Sequence, residues 1–221
     1  MKEKSSKEKN LIKIVLIGNS GVGKTCISQR YVNDSYIDQK ECSTIGSSYF
    51  VKNVYINGKE YILDIWDTAG QEKYRSIGKM FYKNAYIVLF VYDITNKKSF
   101  DEIKNYWYKE TSENFTGDVI LALIGNKIDL YENEQVTDEE GKKFANQINA
   151  IFKTTSALSN IGINWLFENL GKKVLNPNYD YTVDDNKNDL DFNIKKENVK
   201  NDKIKLNSVD NNKNHNIKKC C

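Results

Sequence analysis

Apolar runs of strand length alternate with longer stretches that carry apolar residues at helical spacing, from residue 11 to residue 175. The runs Leu11–Ile17 (LIKIVLI), 86–92 (YIVLFVY) and 119–124 are almost continuously apolar, which is typical of buried strands in a parallel sheet. Two further strands, 49–56 and 59–66, are joined by Asn57-Gly58, a pair that favours a tight hairpin. A last strand is predicted at 150–154, and helices are predicted at 26–33, 99–115, 138–149 and 163–174.

This alternation of strands and helices predicts an α/β fold, a doubly wound and mostly parallel six-stranded sheet with one antiparallel hairpin strand and helices on both faces. Ligands of such sheets bind where the strands end. Four motifs, GNSGVGKT, DTAGQE, NKID and TSA, each follow a predicted strand. We therefore expect all four motifs to face one crevice.

The composition divides the 221 residues into three parts. Residues 1–10 form a polar arm, residues 11–175 form the domain, and residues 176–221 are rich in Asn, Asp and Lys and are predicted to be a disordered tail. The net charge of +3 is spread along the chain, so no nucleic-acid footprint is expected. The four cysteines have no metal-ligand or disulfide spacing, and no signal region or membrane span is predicted, which favours a cytosolic protein.

The stretch GNSGVGKT fits the spacing of a phosphate-binding P-loop between a strand and a helix. Its glycines let the backbone wrap around an anion, and successive N–H groups then point at phosphate oxygens. Lys24 can reach the β- and γ-phosphates, and the Thr25 hydroxyl can ligate Mg²⁺. An ordinary glycine-rich turn before a helix is the alternative. The P-loop interpretation makes the fold class that of a P-loop NTPase.

DTAGQE follows the second hairpin strand and carries the residues that phosphate hydrolysis needs. Asp67 can hold Mg²⁺ through a water molecule, and the Gly70 N–H can bond a γ-phosphate. Gln71 is placed to orient the attacking water. Alone, the motif could be a simple turn.

NKID predicts selection of the base. A carboxylate such as Asp129 can accept two hydrogen bonds from guanine, whereas adenine would leave these acceptors unpaired. Asn126 can bond the ring and brace the P-loop, and the Lys127 stem can cover the base plane. TSA, after the last strand, strengthens this interpretation over that of a structural turn.

GNSGVGKT, STIG, WDTAGQE, NKID and TSA in this order resemble the motifs of Ras-superfamily small GTPases. KYRSI, FYKNA, VYDIT and the terminal Cys-Cys resemble the Rab branch, and STIGSSYF with VYDITNKKSF resemble early-endosomal members. The resemblance implies a GTP- and GDP-binding, Mg²⁺-dependent switch that hydrolyses GTP. It also implies that the GTP state recruits effectors in vesicular, endocytic traffic.

The resemblance also assigns roles by position. Thr44 would meet Mg²⁺ and the γ-phosphate, and Tyr36 would lie against the guanine, although the stretch 34–43 is longer than usual. Leu158 stands where a lysine is common, so base contact there falls to Ser156 and Ala157. The effector surface comprises Ile45, Tyr49, Trp66 and Phe81, for which plain core packing is the alternative. The implied phosphate contacts are Ser20, Gly21, Val22, Gly23, Lys24, Thr25, Cys26, Thr44 and Gly70.

Cys220 and Cys221 end the sequence and, by resemblance, would carry geranylgeranyl groups. At ~0.8 kcal/mol per buried CH₂, two chains give stable anchoring where one is marginal. The implied partners are an exchange factor, a GTPase-activating protein, a GDP-dissociation inhibitor, a Rab escort protein and effectors. The expected location is the cytoplasmic face of an intracellular membrane, with cycling through the cytosol.

Two other functions remain open at this point. A GTP-binding module with negligible hydrolysis is disfavoured by Gln71, and a P-loop ATPase or nucleotide kinase is disfavoured by Asp129. Single-turnover hydrolysis tests the first alternative, and guanine-against-adenine selectivity tests the second.

Overall fold

The computed structural model describes residues 10–36, 47–70, 81–115 and 117–181, and in these residues six strands form one sheet. The strands are β1 (Leu11–Ile17), β2 (Ser47–Ile56), β3 (Lys59–Thr68), β4 (Ile87–Asp93), β5 (Ile120–Asn126) and β6 (Ile151–Thr155). Their order is β2-β3-β1-β4-β5-β6, with β2 and β3 antiparallel and the other neighbours parallel. The predicted fold class is confirmed.

The connections between strands are mainly helical. The helices are α1 (Lys24–Asn33), α2 (Lys97–Glu102), a π-helical turn (Ile103–Trp107), α3 (Tyr108–Ser112), a 3₁₀ helix (Ile128–Asn133), α4 (Asp138–Gln147) and α5 (Ile163–Leu175). The periodicity over 99–115 predicts one helix, whereas the structure divides this stretch at the π-helical turn and ends it at Ser112. No signal in the sequence predicts the 3₁₀ helix.

The turn between β2 and β3 and the start of α4 both have the geometry that their residues favour. Asn57 and Gly58 both have positive φ, +52° and +74°, as the hairpin turn between β2 and β3 requires. Thr137 caps α4, because its side-chain oxygen accepts a hydrogen bond from the Glu140 N–H at 3.2 Å.

The helices cover both faces of the sheet, as β4 demonstrates. All of β4 is buried, and its successive side chains point to opposite faces. Leu89 and Val91 belong to the core cluster that includes residues of α1 and α5. Phe90 and Tyr92 lie on the other face, where their rings contact Tyr108 of α3 and Phe100 of α2.

The compact unit extends to Tyr181, beyond residue 175, where the sequence pattern places the end of the domain. After α5 the chain turns back along that helix. The Tyr179 hydroxyl donates a hydrogen bond to Asn169 Oδ1 at 2.9 Å, and the Tyr181 ring lies 6.3 Å from the Trp165 ring. The start of the predicted tail is therefore packed on α5.

The register of the sheet places polar residues at one edge. Asp67 lies at the end of β3 opposite Leu16 of β1, and Asp93 of β4 pairs with Asn126 of β5. Asn126 in turn pairs with Thr155 of β6. Since parallel strands end at the same edge, this register assembles the candidate site.

Candidate functional site

The loop between β1 and α1 is a tight backbone cradle that tolerates only glycine at two positions. Gly18 has φ +147°, and a Cβ there would lie 2.1 Å from the Val91 carbonyl oxygen. Gly23 has φ +96°, and a Cβ there would lie 2.3 Å from Asn126 Nδ2. The glycine spacing is therefore required by close packing of the loop on β4 and β5 as well as by backbone conformation.

Lys24 lies at the start of α1 and is buried beneath this loop. Its Nζ donates hydrogen bonds to the carbonyls of Gly18 at 2.8 Å and Asn19 at 2.9 Å. Burial lowers the pKa of the Lys24 ammonium to about 8, and the nearby Asp67 carboxylate acts in the opposite direction. The loop thus holds a desolvated cation at its centre, which is suited to binding an anion.

Asp67 is fully buried, and Thr25 Oγ1 donates a hydrogen bond to its Oδ2. Burial raises the pKa of the Asp67 carboxyl to about 6, although Thr25 and Lys24 favour its ionised form. Its other oxygen, Oδ1, is buried without a hydrogen-bond partner. A hydroxyl beside an unsatisfied carboxylate oxygen is a hard-oxygen donor set of the kind that Mg²⁺ prefers, so these residues fit the implied metal.

The described residues contain no group of three or more His, Cys, Asp or Glu side chains that could hold a metal ion. Thr25 and Asp67 would therefore provide only part of a coordination shell. That is compatible with Mg²⁺, which usually keeps waters and binds substrate phosphates besides one or two carboxylates.

Asn126 joins the P-loop to the end of β6. Its Nδ2 donates a hydrogen bond to the Val22 carbonyl at 2.9 Å, and its Oδ1 accepts one from Thr155 Oγ1 at 3.1 Å. Asn126 is almost fully buried and Thr155 is fully buried. The bracing of the P-loop by Asn126 is therefore observed.

Asp129 and Lys127 are each held by a second residue. Ser156 Oγ donates to Asp129 Oδ1 at 2.5 Å, which joins NKID to TSA. Lys127 Nζ lies 2.7 Å from Asp93 Oδ2, in an ion pair at the end of β4. The Asp93 carboxylate also accepts hydrogen bonds from the N–H and hydroxyl of Thr95. These contacts fix the carboxylate of Asp129 and the side chain of Lys127 at the carboxyl edge of the sheet.

Arg30 of α1 fixes the TSA loop from the opposite side. Its Nε and Nη2 donate to the carbonyls of Ala157 at 2.8 Å and Leu158 at 3.1 Å. The Arg30 guanidinium also lies 5.8 Å from the centre of the Tyr36 ring. Leu158 itself is about half exposed, at 52%. Arg30 therefore brings Tyr36 and the TSA loop into one neighbourhood.

Gly70 lies directly against the P-loop. Its carbonyl accepts a hydrogen bond from the Ser20 N–H at 3.1 Å. A Cβ at Gly70 would lie 2.2 Å from the Asn19 carbonyl carbon and 2.3 Å from Ser20 N. Only glycine can bring the end of the DTAG stretch this close to the phosphate-binding loop.

The predicted aromatic surface is continuous. The rings of Tyr49 and Trp66 are 5.2 Å apart, and those of Trp66 and Phe81 are 5.7 Å apart. Tyr49 is exposed, whereas Trp66 and Phe81 are partly buried. This arrangement differs from the alternative of plain core packing, because the cluster reaches the molecular surface.

The remaining predicted site residues divide into two groups. Gly21 is exposed, Val22 is buried, and Cys26 is partly buried on α1. The predicted residues that lie outside the described residues are Thr44, Ile45, Gln71, Cys220 and Cys221.

Three residues of the site were missed by reasoning from the sequence. Asp93 anchors Lys127, Arg30 anchors the TSA loop, and Trp107 donates a hydrogen bond from Nε1 to Asn19 Oδ1 at 2.8 Å. The position of Asp93 at the end of a buried strand was a usable signal. Nothing in the local pattern around Arg30 or Trp107 indicates these contacts.

None of the helices in the part of the chain that the structure describes combines the length and the apolar content needed to cross a bilayer.

The fold and this edge of the sheet define a P-loop nucleotide-binding protein. The family model described as "Ras family" matches residues 13–176. RabJ of Dictyostelium discoideum is 42% identical over 170 residues, which cover 76% of this chain and 66% of RabJ, just under two thirds of it. Rab-8 of Diplobatis ommata is 42% identical over 165 residues, and Rab-8A of Bos taurus is 41% identical over 164. These two matches cover 75% and 74% of this chain, and 78% of each relative.

The chain belongs to the Ras family, and its similarity to Rab proteins makes it a small GTPase of the Rab type. The predicted family and the predicted GTPase activity are thereby confirmed.

Proposed function

We propose that this protein is a membrane-anchored switch that binds GTP and GDP at the carboxyl edge of the sheet and recruits effectors in its GTP state. The observation that carries the proposal is the link made by Asn126. Its side chain connects the Val22 carbonyl of the P-loop to Thr155, the first residue of the TSA motif, through buried hydrogen bonds. One residue thus ties the proposed phosphate side to the proposed base side.

On the phosphate side, Lys24 is proposed to bind the β- and γ-phosphates. Its present acceptors are two backbone carbonyls, which phosphate oxygens can replace with gain of charge–charge attraction. The Thr25 hydroxyl and the Asp67 carboxylate would hold Mg²⁺, which when bound neutralises charge on the phosphates. Thr44 is proposed as a further Mg²⁺ and γ-phosphate contact on the basis of sequence alone.

On the base side, Asp129 is proposed to accept two hydrogen bonds from guanine. Ser156 occupies one lone pair of Oδ1, which orients the carboxylate and leaves its other acceptor sites available. The Lys127 stem, fixed by Asp93, would cover one face of the base. Tyr36 is proposed to contribute an aromatic contact near the TSA loop, which its proximity to Arg30 supports.

Hydrolysis is proposed to depend on Gln71, which would orient the attacking water, and on Gly70, which would contact the γ-phosphate. Arg30 is unsuited to supply a catalytic cation, because its guanidinium is engaged by the carbonyls of Ala157 and Leu158. Intrinsic turnover should then be slow. A GTPase-activating protein would supply the missing cation, a contribution of ~10³–10⁵ in rate.

The cluster of Tyr49, Trp66 and Phe81 is proposed as the centre of the effector surface, with Ile45 beside it in sequence. Contiguous aromatic rings at the surface are typical of binding hot spots. The endocytic branch is proposed from the STIGSSYF and VYDITNKKSF stretches only.

Membrane attachment is proposed to depend on two geranylgeranyl groups on Cys220 and Cys221. The GDP form would then need a GDP-dissociation inhibitor to leave the membrane and a Rab escort protein to become prenylated. An exchange factor would reload the protein with GTP at its target membrane.

Fractionation and hydrogen exchange test this proposal together. The tagged chain should lose its membrane association when Cys220 and Cys221 are both changed to Ser, whereas the control Cys42→Ser should retain it. Residues 34–46 and 70–79 should exchange faster with GDP than with a non-hydrolysable GTP analogue. Equal exchange in the two states, or membrane association without the terminal cysteines, would contradict the switch or the anchor respectively.

A further inference from the structure

The helical segment between β4 and β5 contains a π-helical turn whose hydrogen bonding is wider than that of an α-helix. The Tyr108 N–H donates to the Ile103 carbonyl, five residues earlier in the chain. Such turns insert one residue into a helix and occur frequently at functional sites. The buried Thr111 hydroxyl donates to the Trp107 carbonyl at 2.8 Å, which satisfies a backbone acceptor next to the turn. The Thr111 hydroxyl therefore stabilises the backbone next to the π-helical turn.

Trp107 is the last residue of the π-helical turn and points at the P-loop. The side chain is 3% exposed, and Nε1 donates a hydrogen bond to Asn19 Oδ1 at 2.8 Å. A change in the number of residues in this turn would rotate Trp107 relative to the sheet, since each helical residue turns the chain by about 100°. The position of the indole thus depends on the π-helical turn.

Asn19 connects three parts of the nucleotide site. Its side chain contacts Trp107, and its carbonyl accepts a hydrogen bond from Lys24 Nζ at 2.9 Å. The next N–H, that of Ser20, donates to the Gly70 carbonyl at 3.1 Å. The peptide between Asn19 and Ser20 is also in direct contact with Gly70, where no Cβ would fit. A displacement of Asn19 would therefore alter the contacts of both Lys24 and Gly70 with this loop.

We propose that Trp107 is a positioning residue, which holds the Asn19–Ser20 peptide in place for nucleotide binding through its indole N–H. The proposal rests on the proposed role of the P-loop in binding phosphates. Trp107 itself need not touch the nucleotide. It fixes the side chain of Asn19, and Asn19 fixes the geometry of the loop around Lys24 and against Gly70.

The size of the effect follows from one buried hydrogen bond. Loss of such a bond changes an equilibrium by roughly two- to tenfold. Trp107→Phe keeps an aromatic ring in the buried position and removes the N–H. We expect it to increase the GDP dissociation rate by about two- to tenfold.

The experiment measures dissociation of a fluorescent GDP from the wild type, Trp107→Phe, Asn19→Ala and the double variant, with thermal unfolding of each loaded protein. Tyr106→Phe is the matched control, because Tyr106 lies on the same turn with its ring 5.0 Å from that of Trp107. Failure of the wild type to bind GDP would count against the proposed function, whereas the variants test the role of Trp107.

Two results support the positioning role. Trp107→Phe and Asn19→Ala should each speed GDP release, and the double variant should release GDP no faster than the faster single variant. Tyr106→Phe should match the wild type. The proposal is overturned if Trp107→Phe lowers only the unfolding temperature and leaves the dissociation rate unchanged, or if the two substitutions act additively on that rate.

Discussion

Asn126→Ala should destabilise the nucleotide-free protein far more than a typical loss of a polar side chain. The substitution removes the hydrogen bond to the Val22 carbonyl at 2.9 Å and the one from Thr155 Oγ1 at 3.1 Å. A buried hydrogen bond contributes about 0.5–1.5 kcal/mol, and a partner left unsatisfied costs about 1–3 kcal/mol. Since the Val22 carbonyl and the Thr155 hydroxyl are both buried, we expect Asn126→Ala to lower the free energy of unfolding by about 2–4 kcal/mol.

Urea unfolding of the nucleotide-free protein, followed by tryptophan fluorescence, measures this loss. Asn133→Ala is the matched control, because Asn133 is exposed at the end of the 3₁₀ helix and should change stability by less than about 0.5 kcal/mol. Thr155→Val should show part of the effect, since it removes only one of the two bonds. If Asn126→Ala costs no more than Asn133→Ala, then the observed bonds do not tie the two sides of the crevice together.

Three further predictions concern charge, the segment after α5 and hydrolysis. The pKa of Asp67 is raised from 3.8 to about 6, so its ionisation destabilises the nucleotide-free fold as the pH rises through this range. In unfolding experiments, Asp67→Asn should be more stable than the wild type by roughly 3 kcal/mol above pH 6, and this difference should disappear towards pH 4. A difference that does not depend on pH would refute this. Tyr179→Phe should lower stability by about 1 kcal/mol in thermal unfolding, because it removes the bond to the buried Asn169, whereas Tyr181→Phe should not. Gln71→Leu should leave GTP affinity nearly unchanged and depress intrinsic and stimulated hydrolysis in a phosphate-release assay, and wild-type hydrolysis would require another group to position the water.

The sheet and the P-loop could be predicted from the sequence because their signals are local. The bounds of β1 match the apolar run Leu11–Ile17, and Asn57-Gly58 specifies its own turn. Gly18 and Gly23 of the P-loop are required by their contacts with Val91 and Asn126, and the spacing of these two glycines in the motif reflects that requirement.

The contacts that assemble the site depend on packing between distant elements, which no local pattern encodes. Arg30 and Ala157 meet because α1 lies beside the loop after β6, and Trp107 reaches Asn19 only through the π-helical turn. The periodicity over 99–115 correctly predicts helical structure, but it does not reveal a single residue inserted within a helix. The packing of Tyr179 on α5 was also missed, because isolated aromatic residues in a polar stretch carry no periodic signal.

Single-turnover hydrolysis of GTP and XTP by the wild type and Asp129→Asn tests most directly whether this edge of the sheet is a guanine-selective GTPase site. An asparagine at this position retains an oxygen that can accept from Ser156, so the loop should keep its geometry. The wild type should hydrolyse GTP in strong preference to XTP, and the variant should reverse this preference because its amide N–H₂ can donate to the xanthine carbonyl. A variant that still prefers GTP, or a wild type that does not distinguish the two nucleotides, would contradict the assignment of the base site to Asp129.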